Sequence, residues 1–340
     1  GVRLENDHDL AREAKITASS ELALSVLPPC GETLPLSESW AMMLPVTKGM
    51  MPVVGVTLDV SAPTTLTAEL RISGKPDNHT PDTTLKSIEI PLTAGAARKI
   101  PLDFNTAIED TRFAFVCLLK NDDVSVHLSD QRLTGVLALC QAGNKAVAKS
   151  NTQSPPPGIG IDTFEFWTPK RRPAGKNLAI TLDPPIHAFG AENLTNGISR
   201  PTRCTNAWVA DFAQEQPVVR LAWDKPRKIS VIEIDFDTDF DHPMESVLMG
   251  HPERDMPFCV RDIRITAATT SDEDRASGRS AAAVLGHAAA TRVVAEITAN
   301  HQTRRVIRLA QPITTDFLEF HLLIPSITAP AALFAIRCFS

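Results

Sequence analysis

The first half of the chain is written in short runs in which apolar residues alternate with polar ones or gather in β-rich stretches. Pro52–Val60, Thr65–Ile72, Lys86–Leu92, Arg98–Phe104, Arg112–Leu119, Val124–Leu128 and Thr134–Cys140 are separated by Ser-Gly, Asp-Asn and Asn-Asp-Asp turn signals. A period of two sends successive side chains to opposite faces, so this series of runs predicts an antiparallel β-sandwich. Only Asp9–Lys15 reads as helix, and it is short.

The second half repeats the theme. Leu178–Leu182, Val218–Trp223, Lys228–Phe236, Val260–Ala267, Val293–Thr298, Arg304–Leu309, Phe317–Ile324 and Ala332–Phe339 read as strands. In Ile229–Phe236, Val231, Glu233 and Asp235 fall on one side and Ile232, Ile234 and Phe236 on the other, the pattern of a half-buried strand. Ala276–Ala290 carries Gly278 and Gly286 and reads as a loop or hairpin tip. Between the halves, Ser150–Gly160 and Thr168–Gly175 are rich in Pro and Gly and resemble linkers. The expected organisation is a β-sandwich over 13–150, a linker over 151–175 and a second β-sandwich over 176–340.

A length of 340 residues suits two domains, and 43% hydrophobic with 22% charged residues is the balance of a globular chain. With 34 Lys plus Arg against 40 Asp plus Glu, the formal charge of −6 offers no basic field for a phosphate backbone, which argues against a nucleic-acid partner. No apolar run approaches the roughly 20 residues of a membrane-spanning helix. The chain opens on Gly1 and a polar run, so a piece of a longer polypeptide is expected. The cysteines at 30, 117, 140, 204, 259 and 338 never form C-x-x-C, and buried free thiols are expected.

Recognised catalytic motifs are missing. The one G-x-G, Gly158-Ile159-Gly160, lies in the Pro-rich stretch, away from any strand-to-helix turn that would seat a pyrophosphate. There is no G-x-S-x-G, H-E-x-x-H, P-loop or EF-hand loop. The densest polar cluster places Asp235, Asp237, Asp239 and Asp241 at alternate positions, with His242, Glu245, His251 and Arg254 following. It reads as a solvated strand face running into a loop, as a ligand or interdomain contact loop, as a hard-cation site, or as the acid/base pair of a hydrolase. A second cluster, Glu192–Pro201 leading to Asn206 and Trp208, contains an Asn196-Gly197 turn. Arg200 and Asn206 suit either ligand hydroxyls or a structural role, and Trp208 suits the core before a sugar-stacking face.

Glu192–Gly197, Trp208, Val218–Phe236, Val260–Ile265, Arg304–Leu309, Phe317–Leu323 and Leu333–Cys338 together resemble the discoidin or coagulation-factor type C domain. That resemblance implies a galactose-binding-like jelly roll for the second domain, glycan recognition by loops at one end of the barrel, and a structural calcium nearby. The matching loops run around Asn196–Asp211 and Asp237–Arg254, which makes Asn196, Arg200, Asn206, Asp241, His242 and Arg254 the candidate ligand-binding residues. Four Trp and no Tyr leave few stacking platforms.

Leu34–Ala41, Pro81–Leu85, Phe164–Trp167, Asn196–Pro201 and Asp237–Ser246 are also similar to the region that follows the flavin domain in a family of bacterial FAD-dependent oxidoreductases. This likeness implies a non-catalytic C-terminal accessory region. The flavin fingerprint is not in this chain, so no cofactor is expected here, and FAD belongs to a flavin domain of the same polypeptide or of a sister subunit. The two readings that follow are a carbohydrate-recognition module and a structural scaffold packing on that flavin domain.

Overall fold

A computed structural model of the chain describes residues 8–74, 79–141, 167–170, 175–238, 259–268, 291–325 and 328–340. Among the described residues the helical content is two short 3-10 turns, Leu10–Glu13 and Ala191–Thr195. The strands in chain order are β1 (Lys15–Ala18), β2 (Leu24–Leu27), β3 (Thr33–Leu36), β4 (Trp40–Val46), β5 (Gly49–Met50), β6 (Val53–Val60), β7 (Thr64–Ile72) and β8 (Thr83–Leu92). They continue with β9 (Gly95–Leu102), β10 (Ala107–Ile108), β11 (Arg112–Leu118), β12 (Asn121–Ser129), β13 (Leu137–Gln141), β14 (Trp167–Pro169), β15 (Asn177–Leu178) and β16 (Ile180–Ile186). The last group is β17 (Trp208–Val209), β18 (Val218–Phe236), β19 (Ile263–Ala268), β20 (Arg292–Ile297), β21 (Arg304–Leu322) and β22 (Ala332–Phe339). The fold is all-β, with antiparallel sheets in two β-sandwiches, the class expected from the sequence.

The first sandwich packs the sheet β14-β13-β4-β11-β7-β8 against the sheet β15-β12-β6-β16-β2, to which β3 and β9 add. Alternation does the sorting: Val54, Val56, Leu58 and Val60 of β6 point into the core while the residues between them are half-exposed. β4 is different, because it is buried on both faces. Trp40, Met42, Leu44 and Val46 enter the main core, whereas Ala41 and Met43 join Phe113, Phe115, Leu137 and Leu139 under Trp167.

In the second sandwich, a single seven-stranded sheet folds over itself. β18 and β21 are each 19 residues long and change register near Ala222/Arg227 and Ile229/Val231. Val219 and Leu221 from one half of β18, and Ile232, Ile234 and Phe236 from the other, meet in one core with Leu318, Phe320, Ile336 and Cys338. Runs that patterning separates into Val218–Trp223 and Lys228–Phe236 are therefore one strand that bends from one layer to the other.

Strand pairing does not change partner at the expected linker. β14, β15 and β16, lying after residue 150, complete the first sandwich. Residues 9–18 belong instead to the second: β1 pairs with β18 from Lys15↔Ala222 to Ala18↔Val219. Asp9 Oδ1 accepts from Ala11 N at 3.1 Å and from Cys338 N at 3.0 Å, and Trp223 Nε1 donates to Leu10 O at 2.8 Å. The first sandwich is thus nested within the second, and β2 and β16, by which the chain enters and leaves it, lie paired side by side. The short helix expected at Asp9–Lys15 is a single 3-10 turn, Leu10–Glu13, followed directly by β1.

All six cysteines are free thiols, as expected. Cys117, Cys259 and Cys338 are buried and the other three half-buried. Burial, reinforced by Asp237, pushes the Cys259 thiol up to about 12, and burial also raises Cys140, Cys204 and Cys338. Because the thiolate is the reactive form, an aromatic disulfide reagent at about pH 8 should titrate no more than the three half-buried thiols promptly, and all of them after denaturation. Prompt labelling of Cys259 or Cys338, identified by peptide mass spectrometry, would contradict this core.

Candidate ligand-binding face

The Asn196–Asn206 loop is a joint between the sandwiches. Asn196 ends the 3-10 turn Ala191–Thr195 and is exposed, its Oδ1 accepting from Ile198 N at 2.7 Å. Gly197, at φ +90°, makes the turn in the left-handed region where a side chain is disfavoured. Arg200 is exposed, and its carbonyl is held by Asn206. Asn206 itself is buried at 4% exposure and φ +51°. Its Nδ2 donates to Arg200 O at 3.1 Å and Thr202 Oγ1 at 2.9 Å, and its Oδ1 accepts from Cys204 Sγ at 3.1 Å. Those bonds close the loop on itself and engage the Asn206 side-chain amide within the loop.

The first sandwich grips the loop from the other side. Phe113 N donates to Arg203 O at 2.6 Å, His79 Nε2 lies 3.1 Å from Thr202 O, and Arg203 pairs with Asp110. Gly135 lies so close that a Cβ there would come within 2.1 Å of Thr205 Oγ1. Of the candidate residues, then, the structure leaves Asn196 and Arg200 at the surface and buries Asn206. Asp241, His242 and Arg254 lie outside the described residues, as does most of the loop that follows Asp237.

The start of that polar run is not a solvated face. Asp235 is 2% exposed, receiving Arg304 Nε at 2.5 Å, Arg304 Nη2 at 3.1 Å and Arg337 Nη1 at 2.7 Å. β18 lies between β21 and β22, so its outward carboxylate meets an arginine from each neighbour. Among the described residues no group of three or more His, Cys, Asp or Glu converges. No described helix is long and apolar enough to cross a membrane.

The tryptophans are structural. Trp208 is fully buried and donates from Nε1 to Ser20 O at 3.1 Å, while Trp167 and Trp223 are 1% and 3% exposed. Trp40 is 8% exposed under the Lys170 ammonium at 4.9 Å. The large exposed apolar side chains among the described residues are aliphatic, so none supplies an aromatic stacking platform.

A cleft of about 700 Å³ lies across the outer side of β18, β21, β19 and β20. Ile263, Ile265, Leu318, Phe320 and Leu322 point into the core, so the alternate positions of the same strands project outward. Register sets them in two rows, Val218–His321–Arg264–Glu296 and Arg220–Glu319–Thr266–Val293. Arg264 Nε contacts Glu296 Oε1 at 2.8 Å, and Arg220 Nε contacts Glu319 Oε1 at 3.0 Å with its guanidinium 4.7 Å over the Phe317 ring. His321 Nε2 lies 3.4 Å from Glu319 Oε2 and 3.3 Å from Thr266 Oγ1. Exposed Val293 and Leu323 supply an apolar rim. The result is a concave surface with fixed donors and acceptors beside aliphatic patches, the make-up of a small-molecule site.

These residues lie in strands and not in the loops to which the sequence points. Their signal was present: in Phe317-Leu-Glu-Phe-His-Leu-Leu323, Glu319 and His321 fall on the polar side of the alternation, as does Arg264 in Val260–Ile265. What patterning cannot supply is the register that brings those polar sides together.

No protein-family profile and no curated protein sequence matches the chain. Among solved structures it is similar to the family 32 carbohydrate-binding module of Streptococcus pneumoniae EndoD, at 16% identity and a TM-score of 0.32, over 45% of this chain and 86% of that one. It is also similar to the family 32 module of C. perfringens NanJ, solved with galactose, at 13% identity and a TM-score of 0.30 over the same shares. A third neighbour is chitosan-binding module 1 of a chitosanase/glucanase from Paenibacillus sp. IK-5, at 10% identity and a TM-score of 0.31, again over 45% and 86%. Likenesses this distant carry no argument about what this chain binds.

Proposed function

We propose that the chain is a carbohydrate-recognition module whose binding surface is the cleft on the outer side of β18, β21, β19 and β20. The observation that carries this is the paired rows of Arg264, Glu296, Glu319, His321 and Thr266 in a cavity of about 700 Å³. A sugar presents adjacent hydroxyls, each donor and acceptor, and needs partners held in place by their own contacts; here the neighbouring strands hold them. Aliphatic Val293, Leu323 and Val218 take the place of an aromatic platform against the C–H faces of the ring.

The accessory role beside a flavin domain, with FAD carried there, rests on the sequence likeness alone, and so does a structural calcium. A scaffold reading is favoured by one observation, the tight joint of Thr202–Asn206 against Phe113 and His79, which fixes the sandwiches to one another. The two roles are compatible, since a rigid arm is a means of presenting a binding face.

Calorimetric titration of the whole chain against a panel of mono- and oligosaccharides is expected to give saturable binding for at least one of them. His321→Ala should weaken that binding about tenfold or more, as loss of a hydrogen-bonding partner beneath a bound sugar does. Binding that survives the substitution unchanged, or a flat panel, would refute the assignment.

A further inference from the structure

We propose that the cleft takes uncharged or aminated sugars and turns away acidic ones, an inference that rests on the carbohydrate reading above. Among the described residues the lining holds one guanidinium, that of Arg264, beside three carboxylates, Asp262, Glu296 and Glu319. Arg264 is already engaged, with Glu296 directly opposite it across the β19–β20 ladder. Arg220, the nearest further cation in the same rows, is engaged by Glu319 and stacked on Phe317. Asp262 accepts from Ala299 N at 3.0 Å, which orients its carboxylate without neutralising it.

A sugar carboxylate or sulfate entering this cleft would find its cations occupied and unpaired negative charge close by. Such juxtaposition of like charges sets specificity by penalising the wrong ligand. A hydroxyl at the same place meets donors and acceptors, and an ammonium gains attraction from Asp262 and Glu319. The contrast should be steepest at low ionic strength, because Arg264 and Glu296 are more than half exposed and open to screening.

The test uses two matched series of methyl glycosides, glucose with glucosamine and glucuronic acid, and galactose with galactosamine and galacturonic acid, titrated into the whole chain. In the series that binds, the acidic member should be about tenfold or more weaker than its neutral parent, the gap narrowing with added salt, and the aminated member as tight or tighter. Glu296→Gln, which removes one carboxylate and releases Arg264, should raise the acidic-to-neutral affinity ratio by about tenfold. An acidic sugar that binds the unaltered chain as tightly as its parent overturns the inference while leaving the carbohydrate reading in place. Absence of binding across both series removes the carbohydrate reading and this inference with it.

Discussion

A chain begun at residue 176, where patterning places the start of a second domain, is expected not to fold. It lacks β1 and the Leu10–Glu13 turn, so the edge of β18 loses the ladder that runs from Ala222 to Val219. Trp208 and Trp223 keep their indoles in the core but lose the carbonyls of Ser20 and Leu10. Each buried donor left unmade costs about 1–3 kcal/mol, and the burial of Ala11 goes with them. At its new start the shortened chain carries Ile180, Leu182 and Ile186, which are buried in the core of the first sandwich. Those losses are comparable with the whole stability of a domain, about 5–15 kcal/mol. Near-ultraviolet circular dichroism and thermal unfolding should show no cooperative transition, whereas the whole chain should unfold cooperatively. A shortened chain with native near-ultraviolet signal and a sharp transition would mean that the nesting of one sandwich in the other contributes little.

Asp235→Ala is expected to destabilise the chain by about 3–5 kcal/mol, the range for removing one partner of a buried ion pair. The effect comes from what stays behind: Arg337, 8% exposed, keeps only Glu233 at 3.9 Å, and Arg304 loses both of its bonds. Asp235→Asn retains a shape and one acceptor and should cost less. Equilibrium denaturation by urea measures both. A loss below about 1 kcal/mol for the alanine variant, the scale of an exposed pair, would show that the three carboxylate contacts are not part of the folded state in solution.

Alternation located the β-strands well where one face is wet, as in β6, β7 and the inner positions Ile232, Ile234 and Phe236. It passed over β4, because Trp40–Val46 is buried on both faces and so shows an unbroken apolar run containing Pro45. It treated Asp235 as solvated because the arginines that cover it come from residues 304 and 337, far off in sequence. The nested order was invisible for the same reason: β1 and β16 are short segments whose partners are fixed by tertiary register. In the site, the Asn-Gly turn and Asn206 drew attention as loop polar residues, yet Asn206 spends its amide on Arg200 and Thr202. Glu319, His321 and Arg264 sat in strands, and only the pairing of β19 with β21 makes them neighbours.

The proposed recognition surface is the strand face and not the Asn196–Asn206 loop, and a pair of single substitutions separates the two. Arg200→Ala and Arg264→Ala both remove an exposed arginine, one from the loop and one from the cleft. Titrated with the same neutral sugar, the Arg264→Ala chain should lose about tenfold or more in affinity while the Arg200→Ala chain binds as the unaltered one does. Loss of binding with Arg200→Ala and none with Arg264→Ala would return the site to the loop and contradict the assignment.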